Sequence, residues 1–516
     1  MRQKRSQGVP VALARVIRHA GLAGHARPTA SIAGRGAGAG AGLAEPAVAL
    51  PRVAPFGVRL RPPLARVATN PLAGRLALGA LITGAFGVVA LASAGPSVLV
   101  PTSNLSFPHW ESGPLHGVLG TLIRDPNTLN LGFSMILVAM TVAYGVALAA
   151  VRVLSLRTIA ICVVVLHVIL LMSPTLQLTD LFNYLGYARL GALHHLNPYA
   201  QVVARELHDP VYRFTTWHNL RSPYGPLFTA ATYPLAFVSL PVAYWALKVA
   251  TVLASLGFVA LVWKCARLMG RDPRFAVLFV AGNPIFLIYA LGGFHNDFFM
   301  LVPSIAAIAL LLARRDRSAG AMVALAVAVK FTAVLLLPFL LLAARPSQRR
   351  MRILAGAALA AVPLVALDLA LFGLSIPNLF DQSRLLTNFS IPNLVGLAIG
   401  LGGGAPALLR VANVAVVLTV AHLLRRRVDW LAGAGWSTLA LIASLAWLVP
   451  WYVVWLLPLA ALASSVRLRR GALVLTVFLV LTFMPETGIV LSQHGIDPSR
   501  GSAARASNTL QRKLAQ

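Results

Sequence analysis

Acidic residues are scarce in this sequence, so those that lie in long apolar runs are the first candidates for chemistry. The chain has 516 residues and 14 acidic side chains. Asp180, Asp297, Asp368 and Glu486 lie within or at the end of apolar runs. A charged side chain costs on the order of 3 kcal/mol at the centre of a bilayer, which makes such residues functional candidates by default.

Asp180 stands out because polar and aromatic residues follow it closely. It lies in Leu178–Tyr184, and the following turns supply Tyr187, Arg189, Asn197 and Tyr199. This crowding in one short segment indicates a site. The alternative is that Asp180 only caps the helix that follows, since Asp is a preferred N-cap residue.

A second polar group lies further along the chain. His295, Asn296 and Asp297 end the sequence Gly292–Asp297 between two apolar runs. Three such side chains in succession are too polar for a routine hairpin and favour a second part of the same site. The alternative is a capped turn with flexible glycines.

Two basic residues are candidates for binding a phosphate. Lys330 lies in an otherwise apolar stretch, and Arg189 follows Asp180. An ammonium neutralises a lipid phosphate as a point charge, whereas a guanidinium binds it in bidentate fashion. The alternative for Lys330 is snorkelling of its amine to the membrane interface. Asp368 is expected only to partner an intramembrane polar group.

Two aromatic segments add possible substrate contacts. Tyr224 lies in Ser222–Phe228, and Trp451 and Tyr452 begin Pro450–Trp455. Belts of Trp and Tyr at the membrane interface also explain such rings without any function.

The elements that carry these residues are predicted to be membrane helices. The chain is 58% hydrophobic and 11% charged, whereas a soluble domain has about 25% charged residues. Apolar runs long enough to cross a bilayer recur from Leu76 almost to the C-terminus, and the first of them predicts a helix at Leu76–Val100. The net charge of +30 is carried by short basic clusters between these runs and by the tails. That distribution indicates membrane topology and membrane lipids as surroundings, with no nucleic acid partner.

The positive-inside rule predicts the orientation of the chain. With the basic clusters in the cytoplasm, a large external loop at about 176–226 follows the third helix. The runs Gly320–Ala344 and Leu431–Val466 are each too short for two full spans, yet basic clusters flank both of their ends. We therefore expect each run to turn back, near Lys330 and near Pro450. We predict an all-α polytopic integral membrane protein of about 13 helical segments. Residues 1–75 would be a disordered basic cytoplasmic tail, 76–491 the membrane domain and 492–516 an external tail.

The residues around Asp180 resemble the first large external loop of GT-C glycosyltransferases that use polyprenyl-phosphate sugars. Phe182–Arg189 and Asn197–Tyr199 carry this part of the resemblance. Later motifs resemble bacterial polyprenyl-phosphate-mannose-dependent mannosyltransferases: Ser222–Phe228, Asn283–Pro284, Gly292–Asp297, Ala328–Lys330 and Pro450–Tyr452. Phe107–Trp110 and Ser112–His116 are similar to the alpha-1,6-mannosyltransferase branch of that group. Many GT-C members carry two adjacent acids in the first loop, whereas here Thr179 precedes Asp180.

The resemblance implies a GT-C-like bundle over residues 76–491 and an inverting sugar transfer in the plasma (inner) membrane, with the active site facing outside. Asp180 would act as the catalytic base on an acceptor hydroxyl. Lys330 or Arg189 would stabilise the leaving phosphate, and His295, Asn296 and Asp297 would orient hydroxyls. The implied partners are a polyprenyl-phosphate-sugar donor, with mannose as the sugar, and a glycan or glycolipid acceptor. No cofactor and no metal are expected.

Other membrane functions remain open from the sequence. A transporter or flippase for lipid-linked glycans would also place a few charged residues among many helices. The clustering of polar groups on one face, rather than at mid-membrane, argues against it. A ligase or polymerase that moves whole glycans, and a non-catalytic assembly subunit, are further alternatives.

Overall fold

A computed structural model describes residues 69–100, 107–118, 125–377, 383–404, 406–426 and 428–515. Within these ranges the chain is helical, and an isolated β-bridge joins Ser97 and Val100. The predicted all-α class is confirmed. Most of the predicted tail 1–75 lies outside the described residues.

The α-helices are numbered here in chain order. They are α1 (Pro71–Ala92), α2 (His109–Ser112), α3 (Pro126–Ala149), α4 (Leu156–Leu171), α5 (Asp180–Ala192), α6 (Pro226–Thr232), α7 (Leu240–Leu268), α8 (Pro273–Ala281), α9 (Asp297–Leu312), α10 (Asp316–Val329), α11 (Leu337–Ala343), α12 (Ser347–Phe372), α13 (Ile391–Ala398), α14 (Pro406–Arg425), α15 (Trp430–Ser444), α16 (Val453–Leu462), α17 (Val466–Phe483), α18 (Pro485–Gln493) and α19 (Ser502–Ala515). A π-helix at Ile285–Leu291 follows α8, and short 3₁₀ segments include Phe331–Leu336 and Pro450–Tyr452.

Several helices have the length and apolar character of membrane spans. Among the described residues, α1, α3, α7, α12 and α14 qualify singly. Two bent pairs add spans if each is taken as one: α8 with its π-helix, bent by 51°, and α17 with α18, bent by 67°. The chain is therefore a multi-pass membrane protein, as its composition predicted.

The first helix begins and ends earlier than the apolar run suggested. We expected Leu76–Val100, but α1 begins at Pro71 and ends at Ala92. Asn70 is the reason for the early start, because its side chain accepts hydrogen bonds from the amides of Leu72 and Ala73. A proline at the first helical position suits the same start.

The helix breaks expected inside two short runs are present. α10 ends at Val329, and Lys330 has an extended backbone before the 3₁₀ segment begins at Phe331. α15 ends at Ser444, and Pro450–Tyr452 forms a 3₁₀ turn that leads into α16. Both breaks bring functional candidates to the ends of helices.

Small residues allow α10 and α12 to cross closely. A Cβ atom on Gly320 would overlap the carbonyl oxygen of Ile353, and one on Gly356 would overlap that of Arg317. Small residues at such crossings are typical of helix pairs in membranes. Arg349 adds an ion pair with Asp316, with 2.6 Å between Nη2 and Oδ1. The two helices therefore form one stable wall of a cavity.

Candidate active site

One cavity of about 790 Å³ collects most of the residues that the sequence singled out. It lies where α5 and α9 begin, where α10 ends, and where the 450–452 turn precedes α16. The predicted site residues that line it are Asp180, Tyr184, Tyr224, His295, Asn296, Asp297, Lys330, Trp451 and Tyr452. Motifs more than 270 positions apart in the sequence thus meet in one place.

Asp180 and His295 face each other in this cavity. Oδ2 of Asp180 lies 3.4 Å from Nδ1 of His295. The imidazole stacks on the indole of Trp451, with 3.8 Å between ring centroids and 11° between planes. The N-cap position of α5 belongs to Thr179, so Asp180 is the first helical residue and not the cap. Its carboxylate is therefore held at the cavity surface beside a fixed imidazole.

Asp297 and Lys330 form the second charged pair. Nζ of Lys330 donates to Oδ1 of Asp297 at 2.8 Å, and Nε1 of Trp455 donates to the same oxygen. The ammonium also lies 5.2 Å from the ring centroid of Tyr452 and 5.1 Å from that of Trp455. Aromatic faces attract a cation by their quadrupole, so the two rings hold the amine beside the cavity.

Local backbone geometry turns the polar triplet toward the cavity. The π-helix ends at Leu291, and Phe294 has a positive φ of 52°. A bulky residue in this region is uncommon and occurs where the surroundings require it. The amide of Asn296 donates to the hydroxyl of Tyr184 at 3.2 Å. His295, Asn296 and Asp297 are consequently buried and fixed at the start of α9.

The loop that carries Tyr224 is anchored to the end of α10. Gly225 donates its amide to the carbonyl of Val329 at 3.1 Å. A Cβ atom at Gly225 would lie 2.6 Å from the Val329 oxygen and closer still to that of Ala328. Only glycine fits at this approach. It thereby fixes Tyr224 next to the residue before Lys330.

Three predicted site residues do not line the cavity. Arg189 pairs with Asp209, with 2.8 Å between Nε and Oδ1, and also donates to the carbonyl of Ala236. Asn197 donates to the carbonyl of Phe372 at 2.7 Å. The hydroxyl of Tyr199 donates to the carbonyl of Tyr224 at 2.9 Å. All three side chains hold the segment between α5 and α6 in place. The ion pair keeps the guanidinium of Arg189 outside the cavity.

The segment 107–116, between α1 and α3, supports α5 from behind. The ring of Trp110 packs edge-on against Phe182 and Phe214. Nearby, Glu111 is buried, and this burial raises its pKa to about 7, while Lys248 acts in the opposite direction. The segment 107–116 thus helps to position the helix that begins with Asp180.

The sequence did not single out Trp455, Trp217 or Trp447 as site residues, yet all three line the cavity. Trp455 lies four residues after Trp451, which is about one helical turn. This spacing puts the two rings on the same side of a helix, so the sequence could have indicated Trp455. Asp368 also lines the cavity, and its Oδ1 has no hydrogen-bond partner among the described residues. Within the same ranges, no three His, Cys, Asp or Glu side chains are grouped as metal ligands would be.

Comparison with known families gives two matches along the chain. Residues 77–346 match the model described as alpha-(1->6)-mannopyranosyltransferase, N-terminal domain. Residues 393–496 match the model of the MptB C-terminal domain. The first match alone covers more than half of the chain and includes Asp180, His295, Asp297 and Lys330.

Two curated relatives carry the same description. The chain is 29% identical over 360 residues to alpha-(1->6)-mannopyranosyltransferase A of Mycobacterium tuberculosis, covering 61% of this chain and 67% of the relative. It is 30% identical over 128 residues to alpha-(1->6)-mannopyranosyltransferase A of Corynebacterium glutamicum, covering 24% and 26%. No solved structure matches the chain.

Proposed function

Because the chain belongs to the alpha-(1->6)-mannopyranosyltransferase family, we propose that this membrane mannosyltransferase uses a polyprenyl-phosphate mannose donor on the outer face of the membrane. The family implies a lipid-linked sugar donor and a glycan acceptor. The observation that supports this proposal most is the single cavity that holds both a carboxylate and an ammonium, Asp180 and Lys330. Those are the two charges that a transfer from a lipid phosphate needs.

In the proposed reaction Asp180 takes the proton of an acceptor hydroxyl. The hydroxyl oxygen then bonds to the anomeric carbon of mannose, and the bond from that carbon to the phosphate oxygen breaks with its electron pair. General-base help of this kind is typically worth about 10² to 10⁴ in rate. An inverting transfer that forms an alpha linkage requires a beta-configured donor.

Lys330 is proposed to bind the phosphate as its charge grows. Its ammonium has three N–H donors, and one of them is used by Asp297. A charge-assisted hydrogen bond to phosphate is about twice as strong as a neutral one. Asn296 Nδ2 and Asp297 Oδ2 are buried and have no partner in the described part of the chain, so they are suited to bind sugar hydroxyls.

The polyprenyl chain is proposed to leave the cavity between α12 and α14. On that side the lining includes the apolar residues Leu364, Val365 and Leu409, and its polar members are Asp368 and Asn413. α14 has no buried residue, and Val362 on α12 is 70% exposed. Apolar helix surfaces of this kind face lipid.

The outward orientation rests on the positions of the basic residues. α10 and α12 both begin in basic clusters, and the cavity lies at their opposite ends. Because basic clusters stay in the cytoplasm, the cavity should open outside.

Cysteine labelling tests this orientation. We expect Leu374→Cys to react with a membrane-impermeant maleimide on intact cells, since residue 374 is 91% exposed just beyond α12. Arg315→Cys, also exposed, should react only after the cells are opened. The two native cysteines are buried and give a low background. Labelling of Arg315→Cys alone on intact cells would refute the outward orientation.

Transfer from a defined donor tests the proposed activity. Purified protein in vesicles is incubated with radiolabelled beta-configured polyprenyl-phosphate mannose and an alpha-mannoside acceptor. We expect one labelled mannose to join the acceptor through an alpha-(1->6) linkage. The alpha-configured donor is the matched control and should give no product. Transfer from a nucleotide sugar, but not from the lipid donor, would contradict the proposal.

A further inference from the structure

The C-terminal helix α19 lies beyond both family matches, the second of which ends at residue 496. It contributes to a small hydrophobic cluster that contacts the main core through Trp447. That cluster contains Leu514, Leu220, Leu385 and the partly buried Trp217, Trp447 and Leu510. Leu220, Leu385 and the two tryptophans also line the cavity. The helix therefore forms the outside of the cavity wall.

One set of hydrogen bonds joins α19 to the segment that carries Trp217. The amide of Asn219 donates to the carbonyl of Leu514 at 2.8 Å, and Asn219 Nδ2 donates to that of Lys513 at 3.3 Å. On its other side, Trp217 is tied to α5, because its carbonyl accepts a hydrogen bond from Asn183 at 3.3 Å. Trp217 thus lies between α19 and the helix that begins with Asp180.

A second set of hydrogen bonds joins α19 to Trp447. Ser507 Oγ accepts from the amide of Leu386 at 2.7 Å and donates to the carbonyl of the same residue at 3.1 Å. The next residue, Thr387, donates hydrogen bonds to the carbonyls on both sides of Trp447. Its amide donates to that of Ala446, and its hydroxyl donates to that of Leu448. The position of Trp447 therefore depends on α19 through two adjacent residues.

The two indole rings form a corner in the cavity wall. Their centroids are 6.0 Å apart and their planes meet at 77°. Both rings are only partly buried. The carbon–hydrogen face of a pyranose is apolar, so it packs on an indole face while its hydroxyls stay in water. The corner has the chemistry of a sugar-binding surface.

The surroundings of this corner suit the acceptor rather than the donor lipid. The apolar route between α12 and α14 is lined by membrane helices, whereas Trp217 lies in a loop and α19 is a polar helix with exposed Arg512 and Lys513. We propose that the Trp217–Trp447 corner binds a sugar unit of the acceptor glycan beyond the one that reacts, and that α19 holds the corner in place. This inference rests on the proposed transfer from a lipid donor.

Kinetics with acceptors of two lengths test the inference. Wild-type protein, Trp217→Leu, Trp447→Leu and a chain that ends at Gly501 are assayed with a monomannoside and with an alpha-(1->6)-linked oligomannoside. We expect each change to raise the KM for the oligomannoside at least about tenfold. The KM for the monomannoside, the KM for the donor and kcat should stay within about twofold. Trp263→Leu, which alters a partly buried ring on α7 outside the cavity, is the matched control.

The outcomes separate this inference from the proposed function. If wild-type protein transfers mannose and the variants lose affinity for both acceptors equally, or for the donor, the corner is not an acceptor subsite. Unchanged kinetics in all variants would also refute it. If the shortened chain does not fold, it is replaced by Ser507→Ala, which removes the two bonds to Leu386 and the bond that Gln511 donates to the same hydroxyl. Calorimetric binding of the oligomannoside to wild-type protein and to Trp217→Leu needs no turnover, so it decides the inference even if the lipid donor is inactive.

Discussion

Replacing Asp180 by Asn is expected to reduce mannose transfer at least about a hundredfold while the protein stays folded. The amide keeps the size of the side chain but does not accept the proton of the acceptor hydroxyl, and loss of a general base costs about 10² to 10⁴ in rate. The carboxylate is at the cavity surface, with 14% of its side chain exposed, and the amide fits the same space. Initial rates at saturating donor and acceptor measure the effect.

The control for Asp180→Asn is Glu486→Gln, which neutralises another carboxylate of an apolar run. Glu486 is on α18 and does not line the cavity. We expect it to keep most of the wild-type rate, and donor binding should be near normal in both variants. If Asp180→Asn retains more than about a tenth of the activity, Asp180 is not the base, and the adjacent His295 becomes the next residue to change.

The sequence predicted the helical class and the helix breaks because these depend on composition and on charge distribution. Long apolar runs and basic clusters determine where spans lie. The resemblance to known mannosyltransferases then identified the residues of the cavity from separate motifs. The first helix was placed too late because an apolar run does not reveal where a side chain such as that of Asn70 caps the helix.

The role of Arg189 could not be predicted from the sequence. The pattern placed a guanidinium near Asp180, but its partner Asp209 lies 20 positions away in a loop. Only the folded chain shows that this pair, with His194 on the same carboxylate, ties the loop to α5. Trp217 and Trp447 were not predicted as site residues for the same reason, because 230 residues separate two rings that meet in one cavity wall. Long-range pairing of single side chains leaves no periodic signal.

Replacing Lys330 by Met tests the phosphate contact, but the structure adds a complication to that experiment. The buried carboxylate of Asp297 would keep only the hydrogen bond from Trp455. Breaking one partner of a buried ion pair destabilises a protein by about 3 to 5 kcal/mol. A loss of activity in Lys330→Met alone would therefore not show whether the phosphate had lost its contact or the site had lost its structure.

The double variant Lys330→Met with Asp297→Asn resolves this, because it removes both charges of the pair. We expect it to recover the thermal stability that Lys330→Met loses, and still to show a strongly raised KM for the polyprenyl-phosphate donor, compared with Asp297→Asn alone. That comparison isolates the ammonium, since Asp297 is neutral in both proteins. If the ion pair with Asp297 is the sole role of Lys330, donor kinetics of the double variant and of Asp297→Asn will coincide, and the phosphate must be held elsewhere. A nearby donor on the cavity wall is then the side-chain amide of Asn296.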